Sequence, residues 1–344
     1  MATKVRELEI DGKAVRITSP DKVFFPAIEA TKSDLVDYYL AVAEPFLAAN
    51  RDRPTMLQRF PDGAAGKSFY QKRVPAGAPD WLQTTVVSTP NGTTSNALVL
   101  VDMAHVAWAV NIGCLGFHPW PLRAHAPEAT DELRIDLDPS PGITFDHVRE
   151  TAAEVNQLFT DLGIVGCPKT TGNRGLHIYV PLTPEQDSYA VRAAAVAVAR
   201  ELERRRPDLC TAAWWKEERG TRVFVDFNQN APHKTVFGTW AVRPRVGGQV
   251  STPFRWDELA DITPDDLTLR TVPQRVAAHG DPWAGVAPQS LAPLSELAER
   301  DRANGLVDAP WPPVYPKMPH EQPRVAPSRA RKPDGEAHAE TADA

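Results

Sequence analysis

The feature that most restricts this chain is a repeated change of apolar period between residues 131 and 227. In DELRIDLDP, Leu133, Ile135 and Leu137 alternate with Arg134, Asp136 and Asp138, the period of a strand with one buried face. Phe145, Val148, Ala152, Val155, Leu158, Phe159 and Leu162 then fall at helical spacing. LHIYVPL returns to a strand, SYAVRAAAVAVARELERRR to a long helix with a charged end, and TRVFVDF to a β-branched and aromatic strand. Strands and helices alternating around one core specify an α/β or α+β sheet domain, not a helical bundle.

Around this stretch the pattern is simpler. VRELEI and AVRIT on either side of DGK predict a hairpin over residues 5–18. Leu35, Tyr39, Val42, Phe46 and Leu47 predict a helix from Lys32 to Asn50, capped by Thr31 or Ser33. From Thr55 to Leu115 short apolar stretches are broken by Pro, Gly and Asn, and VLVDMAHVAWAV is open to reading as a buried helix. Beyond Leu306, PWPPVYPKMP and QPRVAPSRARKPDG hold much of the proline, which predicts an extended arm lying on the domain and then a disordered tail.

A chain of 344 residues with 42% hydrophobic content can build a substantial core. It has no run of about 18 apolar residues and no basic-then-apolar leader, so a cytoplasmic protein without membrane partners is expected. Cys114, Cys167 and Cys210 lack any CxxC spacing, against a disulfide framework or a structural zinc. A net charge of -6 gives no bulk signal for nucleic acid, so any such surface must be a local patch.

The acidic strand positions pose a problem of repulsion. Asp136 and Asp138 share a face with Cα atoms about 6.6 Å apart, from a rise of about 3.3 Å per residue. They need a cation, a basic neighbour or a shared proton. Two Mg²⁺ or Mn²⁺ ions about 3.5–4 Å apart are one solution, because hard ions prefer carboxylate oxygen and leave positions open for phosphate. Asp226 in RVFVDF is a third acid among apolar strand residues. Taken alone, the pair also fits a solvent-facing strand end, and Asp226 a salt bridge to Arg222 on its own face. KTTGNRGLHIYVP offers Thr170, Thr171, Arg174 and loop amides for a triphosphate, with Gly172 and Gly175 allowing close approach and His177 in the strand beyond. Alone it is also an ordinary turn with a core histidine, and His118 in GFHPW also fits a packed residue.

In chain order, GCLGFHPW, RIDLDP, KTTGNRGLHIYVPL, TRVFVDFNQN and AVRPRVGGQVSTPFRWDEL resemble the archaeo-eukaryotic primase superfamily. The likeness is nearest to the polymerase domain of bacterial ligase D and its stand-alone actinobacterial primase-polymerase relatives, and it runs over residues 5–290. It implies an α+β catalytic core with mixed and antiparallel sheets flanked by helices. Residues 1–300 would form the primase-polymerase unit, with DNA and 5′-phosphate binding in 1–115 and catalysis in 116–290. An arm over 301–333 and a disordered tail over 334–344 would follow.

The resemblance further implies DNA-directed nucleotidyl transfer that fills short gaps or extends breaks in repair, prefers ribonucleotides and also initiates primers. Asp136, Asp138 and Asp226 match its catalytic, metal-binding triad for two Mn²⁺ or Mg²⁺ ions. His118, Thr171, Arg174, His177, Gln229 and Arg243 match positions around the incoming NTP or dNTP; the Thr171 position is usually serine, and threonine keeps the hydroxyl. Lys22 and Lys32 match lysines that bind a 5′-phosphate, though each also fits a solvated surface. Phe69 and Tyr70 of SFYQK match aromatics that stack on template bases. The family often reads ELH where this chain has Gly116-Phe117-His118, so a carboxylate is missing. The expected partners are DNA with gaps or breaks, a separate ATP-dependent DNA ligase and the end-binding protein Ku, with the chain a monomer near the nucleoid. A metal-dependent phosphoesterase on DNA ends and a catalytically silent DNA-end binder are the competing readings.

Overall fold

A computed structural model describes residues 4–319, Glu321 and Arg324. The tail expected over 334–344 lies outside these residues. Two five-stranded sheets carry the architecture. In one, the strand Thr130–Pro139 lies between Leu176–Gln186 and Val223–Asp226, antiparallel to both, with Cys167–Thr170 on one edge and Cys210–Thr211 paired parallel on the other. The other sheet is built on Pro54–Arg59, which pairs with Phe69–Gln71, Thr94–Val99 and Cys114–Pro119.

The period-2 reading of DELRIDLDP holds in the structure. Leu133, Ile135 and Leu137 are fully buried, in one core cluster with Val148, Ala152, Val155, Val191, Ala195 and Leu202 from the helices Phe145–Asp161 and Ser188–Arg205. Burial of each such large apolar side chain contributes about 1.5–3 kcal/mol, so this face of the sheet is anchored against the helices. The stretch left unsettled, VLVDMAHVAWAV, ends a strand at Val99 and becomes the buried helix Met103–Asn111, which Asp102 caps by accepting from the His105 amide. The hairpin over residues 5–18 forms as two paired strands, with Asp11 and Gly12 at positive φ in the turn.

One predicted element is divided. The helix expected from Lys32 to Asn50 runs as Lys32–Ala41 and Ala43–Asn50, with Val42 between them at φ -111°, ψ 25°. Pro45 has no N–H to give to a carbonyl of the preceding turn, so it fits only the first turn of a new helix. Thr31, not Ser33, is the cap: its hydroxyl accepts from the Asp34 amide while the Asp34 carboxylate accepts from the Thr31 amide. Among the described residues no helix is long and apolar enough to cross a membrane.

Candidate functional site

Strand register places the chemistry in one row. Lys169 pairs with His177, His177 with Asp136, and Asp136 with Asp226, so all four sit side by side in one row across the sheet. Asp138 is two residues on, opposite Phe224. One oxygen from each of Asp136, Asp138 and Asp226 lies within 4.8 Å of the others. The salt bridge from Asp226 to Arg222 does not form. Arg222 begins just outside the strand and turns to Glu203 and to the carbonyls of Arg219, Pro207 and Glu218. Asp226 instead accepts from the Asn228 amide and from Gln229 Nε2, both at 2.8 Å.

These acids lack a compensating charge at contact distance. Burial pushes the Asp136 carboxyl up to about 6, against the pull of Arg243 and Lys169. The charge of Asp136, then burial, pushes Asp138 up to about 7, and burial, then Asp136, does the same to Asp226. His177 Nε2 is 3.2 Å from Asp136 Oδ1 but not aligned as a donor, and that oxygen is buried without a hydrogen-bond partner. Burial, with Lys169 nearby, holds the His177 imidazole far below its ordinary value, so the ring is neutral. An orphaned buried oxygen inside a cluster of three mutually repelling carboxylates fits a divalent cation.

Asp136 and Asp138 line a cleft of about 460 Å³ whose wall includes Thr171, Arg174, His177, Lys216, Arg219 and Arg243. The Gly-rich loop is held as a concave turn: the Thr171 hydroxyl accepts from the amides of Asn173 and Gly175, and Arg243 Nε donates to the Thr171 carbonyl at 2.6 Å. Both glycines are required. A Cβ on Gly172, at φ +69°, would meet Arg243 Cγ at 2.6 Å, and one on Gly175 would meet the Leu137 carbonyl oxygen at 2.5 Å. Arg243 also lies 3.8 Å over the Phe237 ring.

The remaining expected residues surround this cleft at different distances. Gln229 reaches Asp226 and not the cleft wall. His118 is one ring behind Arg243, edge-on to both Phe237 and Tyr70, and burial pushes its imidazole down to about 3. Its Nε2 is 3.3 Å from Gln58 Oε1. A Cβ at Gly116 would meet that same Gln58 oxygen at 2.9 Å, so Gln58 occupies the space a carboxylate side chain would enter. Phe69 and Tyr70 stand exposed on their strand, with Arg59 over the Phe69 ring. Lys32 is buried, and its Nζ donates to the carbonyls of Thr18 and Asn111; burial, then the charge of Lys22, pushes it down to about 8. Lys22 is half-exposed and pairs with Asp62. The surface reading of Lys32 is therefore corrected.

Sequence reasoning missed three cations. Arg219 lies 3.4 Å over the Phe224 ring, with Asp226 and Asp138 as the charges that oppose its desolvation. Lys216 lines the cleft one helical turn earlier. Lys169 is fully buried, donating to Ser251 Oγ at 2.6 Å and to the Phe237 carbonyl at 3.1 Å. The signal was the basic spacing in KEERGTRVFVDF and the lysine that begins KTTG.

The LigD primase-polymerase domain family matches residues 31–283. The multifunctional non-homologous end joining protein LigD of Mycolicibacterium smegmatis is 35% identical over 269 residues, which cover 78% of this chain and 35% of that protein. The bifunctional non-homologous end joining protein LigD of Bacillus subtilis is 31% identical over 271 residues, 78% of this chain and 43% of that protein. The chain thus spans less than half the length of these curated relatives. The polymerase domain of Mycobacterium tuberculosis ligase D, solved in complex with DNA, superposes with a TM-score of 0.74 at 32% identity, covering 79% of this chain and 97% of that one.

Proposed function

The chain belongs to the LigD primase-polymerase domain family, a family of nucleotidyltransferases in DNA repair, and on that premise we propose that it extends DNA at short gaps and breaks, with ribonucleotides preferred. The observation that carries the reading is the grouping of three carboxylates without a paired cation, two of which, Asp136 and Asp138, line one cleft with the Gly-rich loop, Arg174 and Arg243. Asp136, Asp138 and Asp226 would hold two Mn²⁺ or Mg²⁺ ions. Bound there, the ions supply activation of the primer 3′-hydroxyl and neutralisation of charge on the triphosphate.

The chain's own groups do the rest. Arg174, Arg243, the Thr171 hydroxyl proton and the loop amides receive the triphosphate, and a neutral His177 beside Asp136 adds no positive charge to compete with a cation. His118, set between Tyr70 and Phe237, backs the nucleotide side of the cleft. Phe69 and Tyr70 stack on template bases at about 1–3 kcal/mol per base. Lys32, a buried cation held only by carbonyls, takes the 5′-phosphate across the gap with Lys22. A DNA ligase and Ku are the proposed partners in sealing the product, and primer initiation is a second task of the same cleft. The unit doing this would span residues 1–300.

The test is incorporation of a labelled ribonucleotide on gapped DNA with Mn²⁺ or Mg²⁺. The wild-type chain is expected to extend the primer, and Asp226→Ala to bind the same DNA without extending it. A wild-type chain that binds the DNA and extends nothing would replace polymerase with a silent end binder, and one that releases nucleotides from DNA ends in the absence of triphosphates would replace it with a phosphoesterase.

A further inference from the structure

We propose that the Pro-rich arm after residue 306 is a positioning element for Asp226, gripping from outside the turn that holds this carboxylate against Asp136 and Asp138. The inference rests on the reading of the acidic triad as a metal site, and it concerns residues beyond 283, where the family match ends.

Asp226 is the last residue of its strand, and the 3₁₀ turn Asn228–Asn230 that follows supplies both of its hydrogen-bond donors. That turn is tied on two sides. On the inner side the Asn230 side chain accepts from the Arg134 amide at 2.8 Å and donates to the Arg134 carbonyl at 2.6 Å, fixing the turn to the strand that carries Asp136. On the outer side the Asn228 side chain, itself buried, donates to the Pro310 carbonyl at 3.0 Å and accepts from Arg192 Nε at 2.8 Å.

Arg192 is the link between turn and arm. Its remaining N–H groups go to the arm alone: to Asp308 at 3.0 Å, the Ala309 carbonyl at 2.9 Å and the Pro310 carbonyl at 3.2 Å. Its guanidinium lies 3.8 Å from the centre of the buried Trp311 ring, whose Nε1 donates to Asp308. Further along, the Tyr315 hydroxyl donates to the Pro232 carbonyl, and Ala231, Trp311 and Tyr315 form a separate apolar cluster. Without the arm, the Asn228 side-chain N–H group and most of Arg192 lose their partners, and the outer tie of the turn is reduced to Arg192 Nε. Groups that orient a metal ligand from behind typically change metal affinity by about 10–100-fold when removed.

The experiment uses the full chain and Mn²⁺ alone as the probe, titrated by electron paramagnetic resonance well below each variant's Tm, with hydrogen exchange at the Asn228 amide as a second readout. Trp311→Ala and Asn228→Ala are expected to weaken Mn²⁺ binding about tenfold and to speed exchange. Trp311→Phe should recover most of the loss, and Val314→Ser, at an exposed arm position, should change neither. Should Trp311→Ala not fold, Asn228→Ala cuts the same link without removing core. Wild-type Mn²⁺ affinity and exchange in folded variants, however far Tm falls, would reduce the arm to ordinary packing. If the wild-type chain binds no Mn²⁺, the metal reading fails, and exchange at Asn228 alone decides whether the arm holds Asp226.

Discussion

The strand Thr130–Pro139 treats buried charge in opposite ways at its two ends. At its start, Arg53 donates to both oxygens of Asp131, at 2.6 and 3.0 Å, and to Glu132 at 2.9 Å, and Arg134 Nε adds a bond to Glu132 at 2.6 Å. Burial alone would raise the Asp131 carboxyl, yet Arg53 and then Arg123 hold it below its ordinary value. A cavity of about 420 Å³ opens beside this end, but Arg53, Asp131 and Glu132 in its wall are already bonded to one another. At its finish, Asp136 and Asp138 face Asp226 with raised carboxyls and an orphaned oxygen. Charge that is paired inside the protein holds the fold together; charge left unpaired is held ready for something that arrives.

Exchanging one group at each end should separate these roles. Asp136→Asn is expected to cost primer extension at least about a thousandfold, because charge stabilisation of several kcal/mol is removed and each 1.36 kcal/mol is tenfold. The metal-free variant should melt no lower than wild type, since a repulsion is relieved. Arg53→Met should do the reverse. It takes one guanidinium partner from each of Asp131 and Glu132, leaving Arg123 and Arg134, and is expected to lower unfolding free energy by about 1.5–3 kcal/mol, with extension per folded molecule unchanged. Denaturant melts and single-turnover extension on both variants decide the matter; a stability loss in Asp136→Asn comparable to that of Arg53→Met would erase the distinction.

How far the sequence revealed this depends on distance along the chain. The two-residue period of DELRIDLDP is local, so the common face of Asp136 and Asp138 and the buried face of Leu133, Ile135 and Leu137 were legible. So was the Gly-rich loop, whose glycines mark close backbone approach. Cross-strand facts were not. That Asp226 joins Asp136 and Asp138 came only through family resemblance, its place directly opposite Asp136 is a fact of strand register, and the Arg222 alternative closes because the strand begins at Val223. Gln58 filling the space over Gly116 is a pairing between strands far apart in sequence. The grip of Pro310 on Asn228 spans 82 residues of chain. The break at Val42 was local and still missed, because the helical period continued straight through Pro45.

The two ends should also differ in their response to pH. For the triad the folded carboxyls titrate near 6 to 7, above their ordinary value, so between about pH 4 and 7 the folded chain binds more protons than the unfolded one. The triad's share of metal-free stability therefore falls as pH rises through this window, while His118 and His177, held below their ordinary value by burial, contribute a share that rises over it. The lowered Asp131 acts only below the ordinary aspartate range, so its share is constant above about pH 5. The Tm of metal-free wild type minus that of metal-free Asp136→Asn, in which the histidines are common, should therefore drop from pH 5.5 to 8. A flat difference would show that the acids are already neutralised within the protein.

Lys32 extends the comparison to positive charge and carries the smallest expected effect. Like Asp136, it is buried without an opposite charge at contact distance: its acceptors are the carbonyls of Thr18 and Asn111, and its ammonium is pushed down to about 8 by burial and by Lys22. Lys22, by contrast, is already paired with Asp62 at the surface. A hydrogen bond to a charged group is worth about 1.5–3 kcal/mol, so Lys32→Met should weaken binding to gapped DNA bearing a 5′-phosphate roughly tenfold. Lys22→Met should weaken it less, since a half-exposed charge is screened and its loss frees Asp62 to water. The control is the same gap without the phosphate, on which both variants should bind nearly as wild type does. Equal losses on the two DNAs would mean that Lys32 supports the fold around Thr18 and Asn111 and recognises no phosphate.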